Sequence, residues 1–271
     1  VSIEAHVGYL PLHWRPENDP MNRALLFTGL ALAVLSPSRI HAQTKTDRAT
    51  VEWGADMSNT KDGVLNEVVG HTDDHVYMTV RIKKEVFLRK MDLSYRTVYQ
   101  SPIPLKVGNE EQSLHSVKVF GDRILVFSTV HDKREKTRSM YLRVFDEVNM
   151  KPLGRKQRIA KMDVEKRSLG RFRVGVSPDG GSIAIVQLLP YEKEGREKFS
   201  LKVFDEQMDL QWERDVELPY LDDEFSVKSI RVTDDRSIIM IGTKNAEKKE
   251  AKELRKDGKA TYEYHLLIHH G

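Results

Sequence analysis

The chain has 271 residues, of which 44 are Lys or Arg and 41 are Asp or Glu, for a formal charge of +3, and it has no cysteine. Disulfide frameworks, cysteine metal centres and thiol nucleophiles are therefore excluded. A balance this even is not a nucleic-acid footprint, which gathers basic residues on one element.

Val1–Pro20 contains Pro11, Pro16 and Pro20 and shows no sustained period. Met21-Asn22-Arg23 then opens an apolar run, Ala24–Leu35, interrupted only by Thr28 and Gly29 and followed by Ser36–Ala42. A basic start, a short apolar stretch and a small residue before the cut describe a secretory signal peptide over 21–42, cleaved after Ala42. The run is too short for a bilayer span, which takes about 20 residues. Val1–Pro20 is then expected to be a non-native upstream extension, with translation beginning at Met21. The expected destination is the periplasm or cell surface of a bacterium, with no lipid anchor because no cysteine follows the cut.

Residues 43–64 read as an N-terminal strand, Thr50–Trp53, and a polar linker. From about Leu65 the pattern changes to short alternating runs separated by turns, in four units of about 65–106, 115–160, 171–220 and 226–271. In the first, Val76, Met78 and Val80 alternate, and Asp92-Leu93-Ser94 turns the chain. In the second, Gly121-Asp122-Arg123 precedes the apolar strand from Ile124, and Asp146–Asn149 is the later turn. The third is the most complete. Val174–Ser177 leads into Pro178-Asp179-Gly180-Gly181, where proline presets φ and glycine takes positive φ. Ser182–Leu189 is a β-branched buried strand, Phe199, Leu201 and Val203 alternate with Ser200 and Lys202, and Leu210–Leu218 carries Trp212. In the fourth, Thr233-Asp234-Asp235 precedes Ile238–Ile241, a long charged connection over Lys244–Lys259 follows, and Thr261–Ile268 is a third strand.

The units repeat. The apolar strand opens at Ile124, Ile183 and Ile238, and an aspartate follows the third strand at Asp92, Asp146 and Asp205. Beyond each aspartate, at one common spacing, stands Tyr99, Leu153 or Trp212. A period of roughly 55–60 residues with matched turn chemistry signals a repeat architecture, because each small sheet buries its faces only on its neighbours. The expected fold class is all-β and β-propeller-like, with about four blades of antiparallel strands. Val176-Ser177-Pro178-Asp179-Gly180 followed by Ser182-Ile183-Ala184 resembles the signature of TolB-like and WD-type β-propeller repeats, which also occurs in the propellers of prolyl-oligopeptidase-like enzymes. Val203-Phe204-Asp205 with Trp212 resembles the third-to-fourth-strand passage of many bacterial propellers. The resemblance is specific over the third unit and implies fold, not activity. The fourth unit ends on its third strand. Either Thr50–Trp53 completes it and closes a four-bladed ring, or the chain is the front of a larger, incomplete propeller, and the larger one is expected.

No catalytic motif is present: no G-x-S-x-G, H-E-x-x-H, P-loop or G-x-G-x-x-G. His71 and His75 flank a turn rather than share a helix face, so no metal site is expected, and no cofactor. Asp222-Asp223-Glu224 reads as a solvated acidic loop between units. The binding candidates are Lys118, Arg173 and Lys228, each following an apolar residue on an expected innermost strand, where they could line a central channel and hold an anion. The second-to-third-strand connections, His131–Ser139, Tyr191–Lys198 and Lys244–Lys259, are expected together on one mildly basic face. The functional expectation is an exported, non-catalytic binding or scaffold module contacting a protein or glycan, without nucleic acid and without a membrane span. The alternative is the propeller part of a larger prolyl-oligopeptidase-like enzyme.

Overall fold

The structure is a computed structural model that describes residues 43–45, 50–52, 63–107, 110–165, 168–192 and 194–271. The leader expectations for 1–42, and the linker over 53–62, lie outside these residues. The chain divides into two units, Val1–Gly54 and Ala55–Gly271. In the first, β1 (Gln43–Lys45) pairs antiparallel with β2 (Thr50–Glu52). The strand expected at Thr50–Trp53 is β2, over Thr50–Glu52.

The second unit is a succession of antiparallel sheets. The first comprises β3 (Val64–His71), β4 (His75–Ile82), β5 (Glu85–Asp92) and β6 (Thr97–Pro102) in that order. A small ladder of β7 (Lys106–Val107) and β8 (Glu110–Glu111) leads to the second sheet. That sheet contains β9 (Ser113–Phe120), β10 (Arg123–Asp132), β11 (Thr137–Asp146) and β12 (Pro152–Asp163). The third contains β13 (Arg171–Val176), β14 (Ser182–Leu188), β15 (Arg196–Asp205) and β16 (Leu210–Leu221). The fourth contains β17 (Phe225–Val232), β18 (Ile238–Asn245) and, after helix α1 (Lys248–Lys256), β19 (Tyr262–His269). Each sheet is a simple meander. Four such sheets in sequence order, each laying a face on the next, form a propeller-like stack, and the sheets are called blades 1 to 4 below.

The alternation within each strand explains the stacking. On β14, Ile183 and Ile185 enter the cluster shared with blade 2, which contains Phe127, Met140, Leu142 and Phe172. Its intervening residues Ala184 and Val186 enter the cluster shared with blade 4, with Phe199, Leu201, Phe225 and Met240. Tyr77, Leu88, Val117, Ile124 and Val126 join blades 1 and 2 in the same way. Every residue of β14 is buried, which is why this strand reads as a continuous apolar run. Burying each such side chain contributes about 1.5–3 kcal/mol.

First strands of neighbouring blades approach so closely that glycine is required at two points. A Cβ on Gly70 of β3 would lie 2.7 Å from Val119 Cγ2 of β9, and one on Gly175 of β13 would lie 2.8 Å from Val232 Cγ2 of β17. The fourth sheet has three strands, and β19 bears no strand on its outer edge among the described residues. Tyr262, Tyr264, Leu266 and Ile268 are exposed along it. No helix among the described residues is long and apolar enough to cross a membrane.

Candidate functional site

The binding candidates of the sequence are placed alike. Each follows a residue that packs back on the preceding blade: Val117 on blade 1, Phe172 on blade 2 and Val227 on blade 3. Arg173 and Lys228 are brought together, because the Arg173 guanidinium donates to the carbonyls of Lys228 at 2.9 Å and Val227 at 3.2 Å. It ties β13 to β17. Lys118 stands apart, on β9 with His115, whose pKa is lowered by burial and then by the charges of Arg138 and Lys118. Lys228 is exposed. Among the described residues no group of three or more His, Asp or Glu could hold a metal ion. His71 and His75 sit at the two ends of the β3–β4 turn, which closes through Thr72 N–H to His75 O at 2.8 Å.

The second-to-third-strand connections of blades 2 and 3 lie side by side on one rim of the stack, with Val164 and Glu165 between them. The blade 2 connection is shorter than the sequence suggests, because the flanking strands continue: β10 reaches Asp132 and β11 resumes at Thr137, whereas the blade 4 connection keeps its length and holds α1. Lys136 O accepts the Val164 N–H at 2.9 Å, so the blade 2 connection touches the end of β12. Val164 and Glu165 lie beside His131 and Lys133 in one recess and beside Tyr191 and Glu192 in the next. The latter is a cleft of about 500 Å³ between blades 2 and 3, with Met162, Leu189 and Pro190 among the residues that line it and Lys161, Lys198 and Asp215 around them. A smaller cavity of about 290 Å³ opens between blades 3 and 4, lined by Arg171, Glu197, Asp222 and Phe225 among others.

The blade 3 connection between these openings is held at several points. Tyr191 N–H donates to Ser168 Oγ at 2.6 Å, and Glu192 N–H donates to Asp222 Oδ2 at 2.7 Å. Asp222 N–H in turn donates to Gly195 O at 3.0 Å, and Leu189 N–H to Lys198 O at 3.2 Å. Asp222 is thus no solvated acid, as its sequence context suggests, but the clamp of this connection. Beside it lies Glu197. Glu197 continues the inward alternation of Phe199, Leu201 and Val203 on β15 and, beside the β15–β16 register shift between Arg196 and Lys198, lines the cavity, where it is only 9% exposed. Burial, then a hydrogen bond to Asp222 and the Asp222 charge, push its pKa up to about 8, with Arg171 opposing. A buried carboxyl beside a second carboxyl ionises less readily than one in water, which is the direction of the Glu197 shift.

Sequence reasoning missed Glu197 and Gln187. Glu197 sits in the charged run Arg196-Glu197-Lys198, but carrying the alternation of Phe199, Leu201 and Val203 one step back places it on the inner face, and that was its signal. Gln187 had a signal, as a lone amide inside the apolar Ile183–Leu189 run. It is buried at the blade 2–3 cleft, and its Oε1 has no hydrogen-bond partner.

No protein-family model matches the chain, and no curated protein matches it in sequence. Among solved structures it is similar to the uncharacterized protein lmo1340 from Listeria monocytogenes, at 15% identity and TM-score 0.35, covering 80% of this chain and 57% of that one. It is also similar to an endo-arabinase from Bacteroides thetaiotaomicron, at 11% identity and TM-score 0.41, covering 77% and 75%. A third is the β-propeller domain of the Trilobed protease from Pyrococcus furiosus, at 13% identity and TM-score 0.37, covering 67% and 49%. The chain spans little more than half the length of the Listeria protein. These likenesses are distant, and nothing about activity follows from them.

Proposed function

We propose that this chain is an exported, non-catalytic module of a bacterial envelope that contacts a protein or glycan partner through the rim carrying the second-to-third-strand connections. The observation that carries the reading is the pinned blade 3 connection, held by Ser168 and Asp222 between two openings that lie on the same rim. A connection fixed in this way presents its side chains without a large ordering cost on association. Tyr191 is 47% exposed on it, and Lys133, Arg196 and Lys198 supply cationic groups along the two recesses. Aromatic and basic groups on a rigid scaffold are the usual anchors of a contact surface. Export rests on the sequence of Met21–Ala42.

The test is co-sedimentation of the purified chain with isolated cell-wall sacculi and, separately, retention on immobilised envelope proteins of the native host. Binding to one of them, lost in the Lys133→Glu/Arg196→Glu variant without a change in melting temperature, is the expected result. Absence of binding to both, or binding indifferent to the rim variant, would overturn the reading.

A further inference from the structure

The cleft between blades 2 and 3 has a polar floor with one buried acceptor left open. We propose that this cleft is a subsite for an uncharged saccharide, with the Gln187 amide as its inner acceptor and Tyr191 as its outer wall. The proposal rests on the reading of this rim as the contact surface and names the ligand class of one recess in it.

The floor is a single row across three strands. Gln187 of β14 lies opposite Ser200 of β15, and Ser200 lies opposite Asp215 of β16. Cross-strand neighbours stand on one face of a sheet, and all three residues line the cleft. On β14 that face also carries Ile183 and Ile185, which pack on blade 2. Ser200 Oγ donates to Asp215 Oδ1, so the hydroxyl proton is engaged within the row. What the row offers a ligand is acceptors: Gln187 Oε1, the remaining lone pairs of Ser200 and the second oxygen of Asp215. Gln187 is 5% exposed, and its Oε1 has no hydrogen-bond partner among the described residues. A buried amide oxygen without a donor costs stability, and native folds rarely keep one without a reason. A residue serving packing alone would be apolar here, as Ile183 and Ile185 are. The missing donor is assigned to a ligand in the cleft that Gln187 borders.

The charged groups around the floor decide against an ionic ligand. Lys161 faces Glu135 at 3.3 Å, Lys198 faces Glu192 at 3.4 Å, and Arg196 faces Glu217 at 3.6 Å. A bare anion would meet acceptors on the floor and cations already engaged at the mouth. A cation would meet those same Lys and Arg side chains on its way in. An uncharged molecule rich in hydroxyl or amide donors suits both. The walls set its other surface. Met162, Leu189 and Pro190 are apolar, and the backbone of Tyr191 is fixed beside them by its N–H to Ser168 Oγ at 2.6 Å. A sugar ring carries both surfaces, with donors around its edge and C–H bonds on its face, and such a face lies well on an aromatic ring. The volume of about 500 Å³ falls within the range of small-ligand sites, roughly 300–1,000 Å³.

The test is isothermal titration calorimetry of the full chain with two soluble probes, chitohexaose, which carries acetamido groups, and cellohexaose, which carries hydroxyls alone. Binding of at least one is expected. Gln187→Met keeps the volume and removes the acceptor, and should weaken that binding at least about tenfold. The same variant should melt no lower than wild type, because it deletes an unsatisfied buried oxygen. Tyr191→Ala, at an exposed position, should weaken binding by a similar factor without a change in melting temperature, and it decides alone if Gln187→Met does not fold. Absence of binding by both probes, or binding that these variants leave unchanged, overturns the proposal. Retention of an envelope protein that Gln187→Met abolishes, with neither probe bound, also overturns it and gives the cleft to a polypeptide. The two readings fail separately. Probe binding lost in the variants, with no retention on sacculi or envelope proteins, sinks the module reading and leaves the cleft standing. Retention that depends on Lys133 and Arg196, with neither probe bound, sinks the cleft alone.

Discussion

At the scale of single residues the repeat is a set of aspartate-capped turns. Asp205 Oδ1 accepts the N–H groups of Gln207 at 3.0 Å and Asp209 at 2.9 Å, and the chain passes through Met208 at φ 69°. Asp92 does the same for Ser94 and Arg96, with Tyr95 at φ 59°. Asp146 accepts from Asn149 before Met150 at φ 59°. Asp205→Ala strips two donors of their acceptor and should lower stability by about 1–2 kcal/mol, measured as a fall in urea midpoint. The turn at Ser177 shows how far a motif can be read from sequence. Ser177 Oγ donates to Asp179 Oδ1 at 2.5 Å and accepts from Ser182 N–H at 2.9 Å, with Gly180 at φ 70°. Blade 4 builds the same turn from Thr233, Asp235 and Ser237, with Ser237 N–H donating to Thr233 Oγ1 at 3.1 Å. There Arg236 occupies the left-handed position at φ 66°, so the sequence shows only two adjacent aspartates where the structure holds a whole turn. Arg236→Gly should relieve that strain, worth about 1 kcal/mol, less what its bond to Gln211 Oε1 at 2.7 Å contributes. A raised melting temperature is the expected outcome, and a lowered one would show that the side-chain bond outweighs the strain.

At the scale of elements the question is what fastens one blade to the next beyond apolar burial. Between blades 1 and 2 it is an ion pair, Lys90 Nζ to Glu147 Oε1 at 2.8 Å, with side chains only 7% and 14% exposed. Burial lowers the Lys90 pKa against the opposing pull of Asp146 and Asp74. A buried pair of this kind adds little over apolar replacements, but breaking it strands a charge. Glu147→Ala should therefore cost about 3–5 kcal/mol, and Lys90→Met with Glu147→Leu should recover most of that loss in chemical denaturation. Between blades 2 and 3, Arg138 donates to Gly170 O at 2.9 Å, and between 3 and 4 Arg173 reaches two carbonyls. Close approach of first strands is a second fastening. Gly175→Ala drives a methyl group into Val232, and overpacking of this kind costs about 1–3 kcal/mol. The four units, their strand types and their turns were legible in the sequence, because period-two alternation and turn residues are local signals. The blade-to-blade ties were not, because Lys90 and Glu147 look like surface charge until two sheets meet. In the candidate site, Glu197 was legible by carrying the alternation of Phe199, Leu201 and Val203 one step back, whereas the Asp222 contacts depend on how the blade 3 connection folds back on it, which no local pattern announces.

For the whole molecule, the opposed titrations of the turns and of the rim set where on the pH scale the fold is most stable. Hydrogen bonding to Asp92, Asp132, Asp179 and Asp235 lowers each of these pKa values, the largest cause being a backbone or side-chain donor in the turn. A lowered carboxylate pKa contributes stability that is present above the ordinary aspartate range and lost as pH falls through the folded value. Glu197 has the other sign. Its acid is raised from 4.5 to about 8 in the folded chain, so its proton is bound more tightly folded than unfolded. That contribution is complete below the unfolded pKa and declines as pH rises through 4.5 towards 8, beyond which nothing further is lost. The span corresponds to at most about 5 kcal/mol, reduced by solvent screening at a group that is only partly enclosed. The Glu197 contribution to the melting temperature should therefore be greatest in mildly acidic solution and decline to pH 8 before levelling, against the opposite contribution of His115 and His269, whose pKa values burial lowers. Glu197→Gln has no proton to lose, so it should lack the Glu197-linked fall between pH 5 and pH 8, and in that window its melting temperature should rise with pH, because burial lowers the His115 and His269 pKa values. A variant that keeps the wild-type slope there would show that Glu197 does not hold its proton more tightly in the folded chain than in the unfolded one.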